Sequence, residues 1–152
     1  MMETLRTQVR NEWTDYNGHL RDANFLLLFS LGTDALMDRL GLDEAGRAQT
    51  GHTLFTLEVH LNYLAEVKEG EQVTVHTSLL AHDHKRLHIY HTLRRGQTDV
   101  AVSEQMLMNV STESGRSVNF EAGVLQKVEA WKAQQGVVDK PAYAGRVIGL
   151  PR

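Results

Sequence analysis

The clearest pattern in this chain is a strict alternation of apolar and polar residues in the segment TLFTLEVHLNY, residues 53–63. A spacing of two is that of a β-strand with one buried face. The pattern therefore predicts a half-buried strand whose apolar side chains share a face. Those side chains are Phe55, Leu57, Val59, Leu61 and Tyr63.

The same spacing recurs three times further along the chain, and a shorter run precedes it near Leu5 to Trp13. The later runs are QVTVHTSL, RLHIYHTL and DVAVSEQMLMNV, separated by the turn-forming segments KEGE, HDHK and RRGQ, and the last of them is followed by ESGR. Short connections of this kind join antiparallel strands. The pattern predicts a sheet of hairpins.

Two segments have helical character. From Ala23 to Leu40 the chain carries good helix formers, with Asp22 before it as a cap and Gly41 after it as a stop. Apolar residues lie almost all the way round its first half, which is typical of a helix buried on most sides. A shorter amphipathic helix is predicted from about Gly123 to Gln134.

These elements together predict an α+β fold in which a curved antiparallel sheet wraps around the Ala23–Leu40 helix. We expect residues 1–135 to form one domain. The remaining residues, 136–152, form a tail containing both prolines of the chain, and we expect it to pack on the same domain or on a partner subunit.

Composition narrows the possible functions. The 152 residues carry a net charge of -3 with scattered basic side chains, so we expect neither nucleic acid nor a membrane as partner. The chain has no cysteine, which excludes disulfides, thiolate metal sites and a cysteine nucleophile. The first residues lack the apolar core of a signal peptide, and the longest apolar run is short, so a cytoplasmic location is expected.

The densest polar chemistry, TDYNGHLRDANF, lies directly before the apolar helix. It resembles the loop D-x-x-G-H-V-N-N-A-x-Y of hotdog-fold thioesterases related to the 4-hydroxybenzoyl-CoA type, with Arg21-Asp22 in place of Asn-Asn. Plant acyl-ACP thioesterases show D-x-N-x-H here, which Asp15, Asn17 and His19 match. Their glutamate three residues after a strand tyrosine corresponds to Glu66, followed by Val67 where they have cysteine.

The resemblance implies a hotdog acyl-CoA thioesterase that hydrolyses a thioester to an acid and CoA, without a metal or redox cofactor. Asp15 is then the general base or the nucleophile, and we expect burial to raise its pKa. Asn17 and His19 assist, and free N–H groups from Ala23 to Phe25 polarise the carbonyl. Each residue also has an alternative role that is structural. Asp15 and Asn17 would form a turn, His19 would stabilise the loop, and Asp22 would cap the helix.

The resemblance also implies a homodimer, or a dimer of dimers, with sites shared between subunits. Some relatives act on trimethylammonium acyl-CoAs, and an aromatic box of Trp13, Tyr16 and Phe25 would suit such a cation. Medium-chain, aromatic and other short acyl groups remain alternatives. The other residues predicted to bind acyl-CoA are Gly18, Asp22, Ala23, Asn24, Tyr63, Glu66 and the rim cations Lys85 and Arg86, with Arg94 and Arg95 as further rim candidates.

Two other groups of residues carry histidine and acidic side chains. Strand parity predicts a buried His91–Glu104 pair, unless a bulge turns Glu104 outward or a dimer interface satisfies it. His82 and His84 lie at a predicted hairpin tip without a third metal ligand and are expected to be surface residues. One rival function is a hotdog dehydratase or hydratase acting on a CoA or ACP thioester, which the D-x-N-x-H match disfavours. The other is a non-catalytic acyl-thioester-binding protein, which the Arg21-Asp22 departure leaves open.

Overall fold

Five strands form one antiparallel sheet in the order β1-β3-β4-β5-β2. The computed structural model of the chain describes residues 1–151. The strands are β1 (Met2–Gln8), β2 (His52–Tyr63), β3 (Gln72–His82), β4 (Arg86–Arg95) and β5 (Thr98–Ser111). The helices are α1 (Asp22–Arg39), α2 (Glu44–Thr50) and α3 (Ala122–Gln135). The predicted α+β class is confirmed.

Helix α1 packs on the inner face of the curved sheet, where it contacts β1, β3 and β4. Leu28, Phe29 and Leu36 are completely buried along it, and Phe25 is nearly so. The sheet contributes valine and leucine side chains to the same core. The predicted buried helix is therefore confirmed, and its hydrophobic contact with the sheet supplies the main driving force for folding.

The first strand ends earlier than predicted. β1 spans Met2–Gln8, and the segment Asn11–Trp13 forms a single 3-10 turn instead of continuing the strand. Backbone bonds from Trp13 N to Arg10 O and from Thr14 N to Asn11 O close this turn. The turn directs the chain away from the sheet edge and toward the start of α1.

A β-bulge divides the alternating strand β2. The pairing with β5 shifts between Thr56 and Glu58, so Leu57 is the extra residue. After the bulge, Leu61 and Tyr63 lie opposite the completely buried Ser103 and Ala101, on the inner face. Phe55 lies opposite Met108 on the outer face. The prediction that all five apolar side chains share one face is therefore wrong.

A second irregularity separates His91 from Glu104. Leu93 pairs with Ala101 but Arg94 pairs with Asp99, so Val100 is an extra residue and the parity of β5 reverses. His91 lies opposite Ser103, while Glu104 faces outward, with its Oε2 2.7 Å from His88 Nε2. The predicted buried His91–Glu104 pair is wrong, and the bulge alternative is confirmed.

His91 instead belongs to a buried network of hydroxyl groups beneath α1. Its Nε2 lies 2.9 Å from Thr33 Oγ1 and its Nδ1 lies 2.8 Å from Thr77 Oγ1. The Thr33 hydroxyl donates to Phe29 O, which leaves His91 to donate from Nε2 and accept at Nδ1, as a neutral imidazole does. Complete burial lowers the pKa of His91 to about 3.

Helix α3 packs against β3 and satisfies backbone groups of that strand. The Gln135 side-chain amide donates to Leu79 O and accepts from Leu79 N, both at 2.9 Å. Leu79 lies just beyond Thr77, the residue of β3 at which pairing with β1 ends. Glu129 reaches His82 Nε2 at 3.2 Å, and the His82 side chain is only 9% exposed. The expectation that His82 is a surface residue is therefore wrong, whereas His84 is exposed.

Residues 136–151 contain no helix or strand and return over the outer face of the sheet. Ala144 is buried there with Tyr90 and Val102, and Tyr143 packs beside them. Arg152, the last residue of the predicted tail, lies outside the described residues. No helix within residues 1–151 is long and apolar enough to cross a membrane.

We expect folding stability to fall as the pH is lowered from about 6.5 because of His91. Its folded-state pKa is lowered, so only the unfolded chain takes up a proton in this range, at a cost of up to about 1.4 kcal/mol per pH unit. Chemical denaturation at several pH values measures this slope. His91→Gln should flatten it relative to the wild-type chain, whereas exposed His84→Gln should not; an unchanged slope in His91→Gln would contradict the assignment.

Candidate active site

The loop from Trp13 to Asp22 is clamped between α1 and the segment that follows β2. Leu20 N donates to Val67 O at 2.7 Å, and Arg21 N donates to Trp13 O at 3.0 Å. Isolated bridges also join Thr14 to Leu20 and His19 to Lys68. These long-range backbone bonds give the polar loop a fixed position at the mouth of the apolar helix.

Asp15 organises this loop through one carboxylate oxygen. Its Oδ1 accepts hydrogen bonds from Asn17 N at 2.9 Å and His19 N at 3.1 Å, which forms an Asx-turn. Gly18 completes the turn with a φ of 74°. The other oxygen, Oδ2, accepts no hydrogen bond from residues 1–151. The turn-forming role of Asp15 is thus present and leaves one oxygen available for chemistry.

The pKa of Asp15 moves in the direction opposite to the one expected. The backbone hydrogen bond from His19 lowers it below 3.8, against a smaller desolvation effect, and the Asn17 hydrogen bond and the nearby His19 and Arg21 lower it further. The expectation of a raised pKa is wrong because the loop N–H groups solvate the carboxylate. Asp15 is therefore ionised at neutral pH in the free chain.

His19 and Glu66 join Asp15 in one cluster. His19 Nε2 lies 3.6 Å from Glu66 Oε2, and the Glu66 side chain is 77% exposed. Arg95 Nη1 donates to the Glu66 carbonyl oxygen at 2.6 Å and so holds this segment in place. The structure therefore brings together three residues that lie in two distant stretches of sequence.

The first turn of α1 differs from the one predicted. Arg21 occupies the N-cap position without a side-chain hydrogen bond, and Asp22 is the first helical residue. Asp22 Oδ1 accepts from Ala23 N at 2.7 Å. Asn24 N and Phe25 N both donate to Arg21 O, at 2.8 and 3.3 Å.

The backbone N–H groups of Ala23 to Phe25, which were predicted to be free, are therefore all hydrogen-bonded in the isolated chain. The Asp22 carboxylate accepts the first of them, and the Arg21 carbonyl oxygen accepts the other two. Asp22 is not the N-cap residue, although its carboxylate does bond a first-turn N–H. The N–H of Asp22 itself has no acceptor within residues 1–151. It is the donor that remains for a ligand at this helix end.

The predicted aromatic box does not assemble within a single chain. Phe25 is buried and meets Tyr63 edge to face, with ring centroids 5.1 Å apart. Trp13 is half-buried, and the Arg10 guanidinium lies 5.1 Å from its ring centroid. Tyr16 is 93% exposed. Tyr63 is the exposed aromatic ring that lies beside Phe25.

Tyr63 is fixed against the start of α1. Its hydroxyl donates to Asp22 O at 3.0 Å, and its side chain remains 53% exposed. Burial of the hydroxyl, together with the Asp22 charge, raises the pKa of Tyr63. Asn24 is also held, because its Nδ2 donates to Trp13 O at 2.8 Å. Both residues therefore shape the helix mouth.

Lys85 and Arg86 lie at the far end of the sheet from Asp15 within one chain. They occupy the β3–β4 turn, where Asp83 Oδ2 accepts from Arg86 Nε at 2.7 Å and Lys85 Nζ lies 3.4 Å from Ser117 Oγ. The cations near the loop are Arg21, Arg95 and Lys68. No local pattern in the sequence marks Lys68, because its backbone bridge to His19 is a long-range contact.

Within residues 1–151, no group of three or more histidine and acidic side chains is arranged to hold a metal ion. What the cluster does offer is an ionised carboxylate, a histidine paired with a second carboxylate, and a helix N-terminus with one unbonded N–H. An anionic oxygen and a hydrogen-bond donor facing one point are the groups that acyl transfer requires.

The fold and this loop define a class of enzyme. Residues 9–128 match the Thioesterase-like superfamily. The crystal structure of a protein named a putative thioesterase, from Pseudomonas putida KT2440, is 47% identical, with a TM-score of 0.87, over 99% of this chain and 97% of its own. A Staphylococcus aureus protein solved in complex with CoA is 30% identical, with a TM-score of 0.91, over 99% and 98%. The chain belongs to this superfamily of hotdog-fold proteins and is an acyl-CoA thioesterase.

Among individual relatives, the betainyl-CoA thioesterase of Pseudomonas aeruginosa is 54% identical over 99% of this chain and 96% of its own length. An L-carnitine dehydrogenase/betainyl-CoA thioesterase of Agrobacterium fabrum is 40% identical over 84% of this chain. This chain matches only 26% of that longer protein. The predictions of a hotdog fold and of thioester hydrolysis are confirmed.

The hydrogen bonds of Asp15 predict that its two simplest variants differ in stability. Asn retains an Oδ1 that accepts from Asn17 N and His19 N, so Asp15→Asn should unfold at nearly the wild-type temperature. Asp15→Ala leaves both N–H groups without their acceptor and should unfold at a lower temperature. Thermal denaturation followed by circular dichroism makes the comparison; equal midpoints for the two variants would contradict the turn role.

Proposed function

We propose that this protein hydrolyses betainyl-CoA, or a closely similar trimethylammonium acyl-CoA, to the free acid and CoA. The observation that carries the proposal is the 54% identity to a betainyl-CoA thioesterase along almost the whole of both chains. Three further relatives named L-carnitine dehydrogenase/betainyl-CoA thioesterase, from Rhizobium meliloti, a Rhizobium species and Ruegeria pomeroyi, support it at 32–35% identity.

The surroundings of Tyr63 support a cationic acyl group. Its half-exposed ring presents a face to which a quaternary ammonium is attracted. Two exposed carboxylates are close to Tyr63. Asp22 accepts the Tyr63 hydroxyl with its backbone carbonyl oxygen, and Glu66 lies three residues after Tyr63 in the chain. Negative charge beside an aromatic ring favours a cation over a neutral group of equal shape.

In the proposed mechanism, Asp15 acts through Oδ2, either as the base that activates water or as the nucleophile. Attack on the thioester carbonyl forms a tetrahedral oxyanion, which the Asp22 N–H and the positive end of α1 stabilise. If water attacks, the tetrahedral species expels the CoA thiolate, which takes the proton held by Asp15, and the acid is released. If Asp15 attacks, expulsion of the thiolate leaves a mixed anhydride on Asp15, which a water molecule then hydrolyses to release the acid and restore the carboxylate. His19, paired with Glu66, polarises the carbonyl or the water. Substrate bound over the loop excludes water and strengthens these interactions.

We propose that the reaction requires no metal or redox cofactor. Hydrolysis changes no oxidation state, and a positioned carboxylate with hydrogen-bond donors supplies the chemistry. Arg21, Lys68 and Arg95 are the cations beside the loop that we propose for the CoA phosphates. The predicted Lys85 and Arg86 lie at the far end of the sheet in the same chain, so they would serve this site only from a second copy. We also propose a cytoplasmic site of action, because CoA thioesters are cytoplasmic substrates.

We propose that two copies join through β2. Within residues 1–151 no strand pairs with the other side of this 12-residue edge strand, and Phe55, Leu57, Val59 and Tyr63 are exposed on it. An unpaired, apolar edge is a template for another strand. Pairing of β2 with its two-fold copy about the strand midpoint puts Tyr63 opposite His52 of the second copy, so the partner would border the site.

Asp15→Asn should reduce kcat for thiol release by about 100-fold or more, because the variant keeps the turn but loses the carboxylate. A thiol-reactive dye follows CoA release over a panel of acyl-CoAs. Asp34→Asn is the matched control, since Asp34 is an exposed aspartate on α1, well away from the loop. Full activity of Asp15→Asn on the best substrate would refute the catalytic assignment.

Betainyl-CoA should be cleaved with a kcat/KM at least about tenfold above that of 3,3-dimethylbutanoyl-CoA, its neutral isostere, since a cation over an aromatic ring is worth roughly 1–2 kcal/mol. The two acyl groups have the same shape and differ in one charge. Tyr63→Leu should reduce this ratio more than it reduces the rate on the neutral substrate. Equal kcat/KM values would refute cation recognition without affecting the thioesterase assignment.

A further inference from the structure

The chain after α3 takes a definite path across the outer face of the sheet. Tyr143 and Ala144 pack on Tyr90 of β4 and Val102 of β5. Gly145 N then donates to Glu104 of β5 at 2.7 Å. The tail therefore crosses the strands in the direction from β4 to β5, toward β2.

The crossing continues to β2, the edge strand. Arg146 lines a cavity of about 560 Å³ together with Glu58, Val59 and His60 of β2. The guanidinium of Arg146 also lies 5.3 Å from the ring centroid of Tyr143. Arg146 therefore lies over the outer face beside β2, and Val147–Leu150 follow it directly in the chain.

The path is fixed by specific contacts up to Arg146. The Glu104 carboxylate accepts from Gly145 N with Oε1 and contacts His88 Nε2 with Oε2, both at 2.7 Å. Gly145 has a φ of 72°, and a Cβ there would lie 3.0 Å from Lys140 Nζ. Glycine at this position thus permits both the backbone conformation and the close approach.

Beyond this anchor the tail becomes apolar and exposed. Val147, Ile148 and Leu150 are 91%, 89% and 94% exposed, respectively. Three exposed aliphatic side chains in four residues lack the free energy that burial would provide. They follow directly on Arg146, which lies beside the unpaired apolar strand β2, so a partner that pairs with β2 would be in reach of them.

We propose that residues Val147–Leu150 form an arm that crosses the β2 edge and packs on the outer face of a second copy, against its Phe55 and Met108. By two-fold symmetry each copy gives one arm and receives one. The proposal rests on the β2 dimer proposed above and adds a second, reciprocal contact to it.

Strand register supports this occupant. β2 spans His52–Tyr63, so its midpoint lies between Leu57 and Glu58. Antiparallel pairing about that midpoint places Phe55 of the second copy opposite His60, where the tail crosses. Phe55 and His60 both lie on the outer face, as directly opposed residues must. Phe55 is 58% exposed and lies opposite Met108, which makes a patch for aliphatic side chains.

The absence of cysteine makes a disulfide test simple. Ile148→Cys and Phe55→Cys are introduced in separate chains, which are co-expressed and oxidised. A covalent pair of twice 17.1 kDa on a non-reducing gel is expected from the mixture. Each single variant alone should give little, and Ala130→Cys, on an exposed face of α3, should give none with Phe55→Cys.

Two other results would contradict the proposed arm. If the tail folds back on its own sheet, the chain carrying both Ile148→Cys and Phe55→Cys forms an internal disulfide, and the mixture of single variants gives no covalent pair. That result, in a chain that sediments as a dimer, overturns the arm and leaves the dimer intact. A monomeric wild-type chain overturns both, while the thiol-release assays still judge the thioesterase mechanism separately.

A second variant measures what the arm contributes. Replacing Val147, Ile148 and Leu150 together with alanine removes apolar contact from the proposed interface but none from the monomer core. The dimer dissociation constant should rise at least about tenfold, since the methyl and methylene groups that alanine lacks no longer contribute apolar burial to the interface. The circular dichroism spectrum should not change. An unchanged dissociation constant would overturn the proposal.

Discussion

The backbone hydrogen bonds that fix the start of α1 determine where the residues of the candidate active site lie. Leu20 N to Val67 O and Arg21 N to Trp13 O hold the loop between the helix and the segment after β2. The helix has no side-chain N-cap, so its position comes from these bonds and from burial of Phe25 and Phe29. Asp15, His19 and Glu66 meet because the backbone around them cannot move apart without exposing the helix core.

In the proposed mechanism, one residue of the loop serves structure and chemistry together. Asp15 uses Oδ1 to close its turn and leaves Oδ2 without a partner, so a turn-forming role and a catalytic role do not compete. The N–H groups that lower its pKa keep the carboxylate charged when no substrate is bound. An ionised oxygen is the form required for attack or for proton abstraction.

Much of the fold followed from the sequence, and two of the wrong predictions have a common cause. Period-two segments predicted four strands, and the apolar run predicted α1, because these patterns are local. The bulges at Leu57 and Val100 are single extra residues, and each one moves the side chains that follow it to the opposite face of the sheet. No local pattern in the sequence marks them. The wrong shared face on β2 and the wrong His91–Glu104 pair both follow from this. The cluster around Asp15 was found by its motif, but the Lys68 bridge and the bonded first-turn N–H groups depend on tertiary contacts.

The two edges of the sheet are unlike each other. β1 has seven residues and carries the Glu3–Arg6 ion pair, whose side chains are 40% and 68% exposed, while β2 has 12 residues and an apolar surface. Charged, short edges resist pairing with other chains, and long apolar edges invite it. In the proposed dimer, each copy covers the long apolar edge of the other with its own β2, which leaves the short, charged β1 edges outermost. On that proposal, the difference between the two edges favours a closed pair over growth into a fibre.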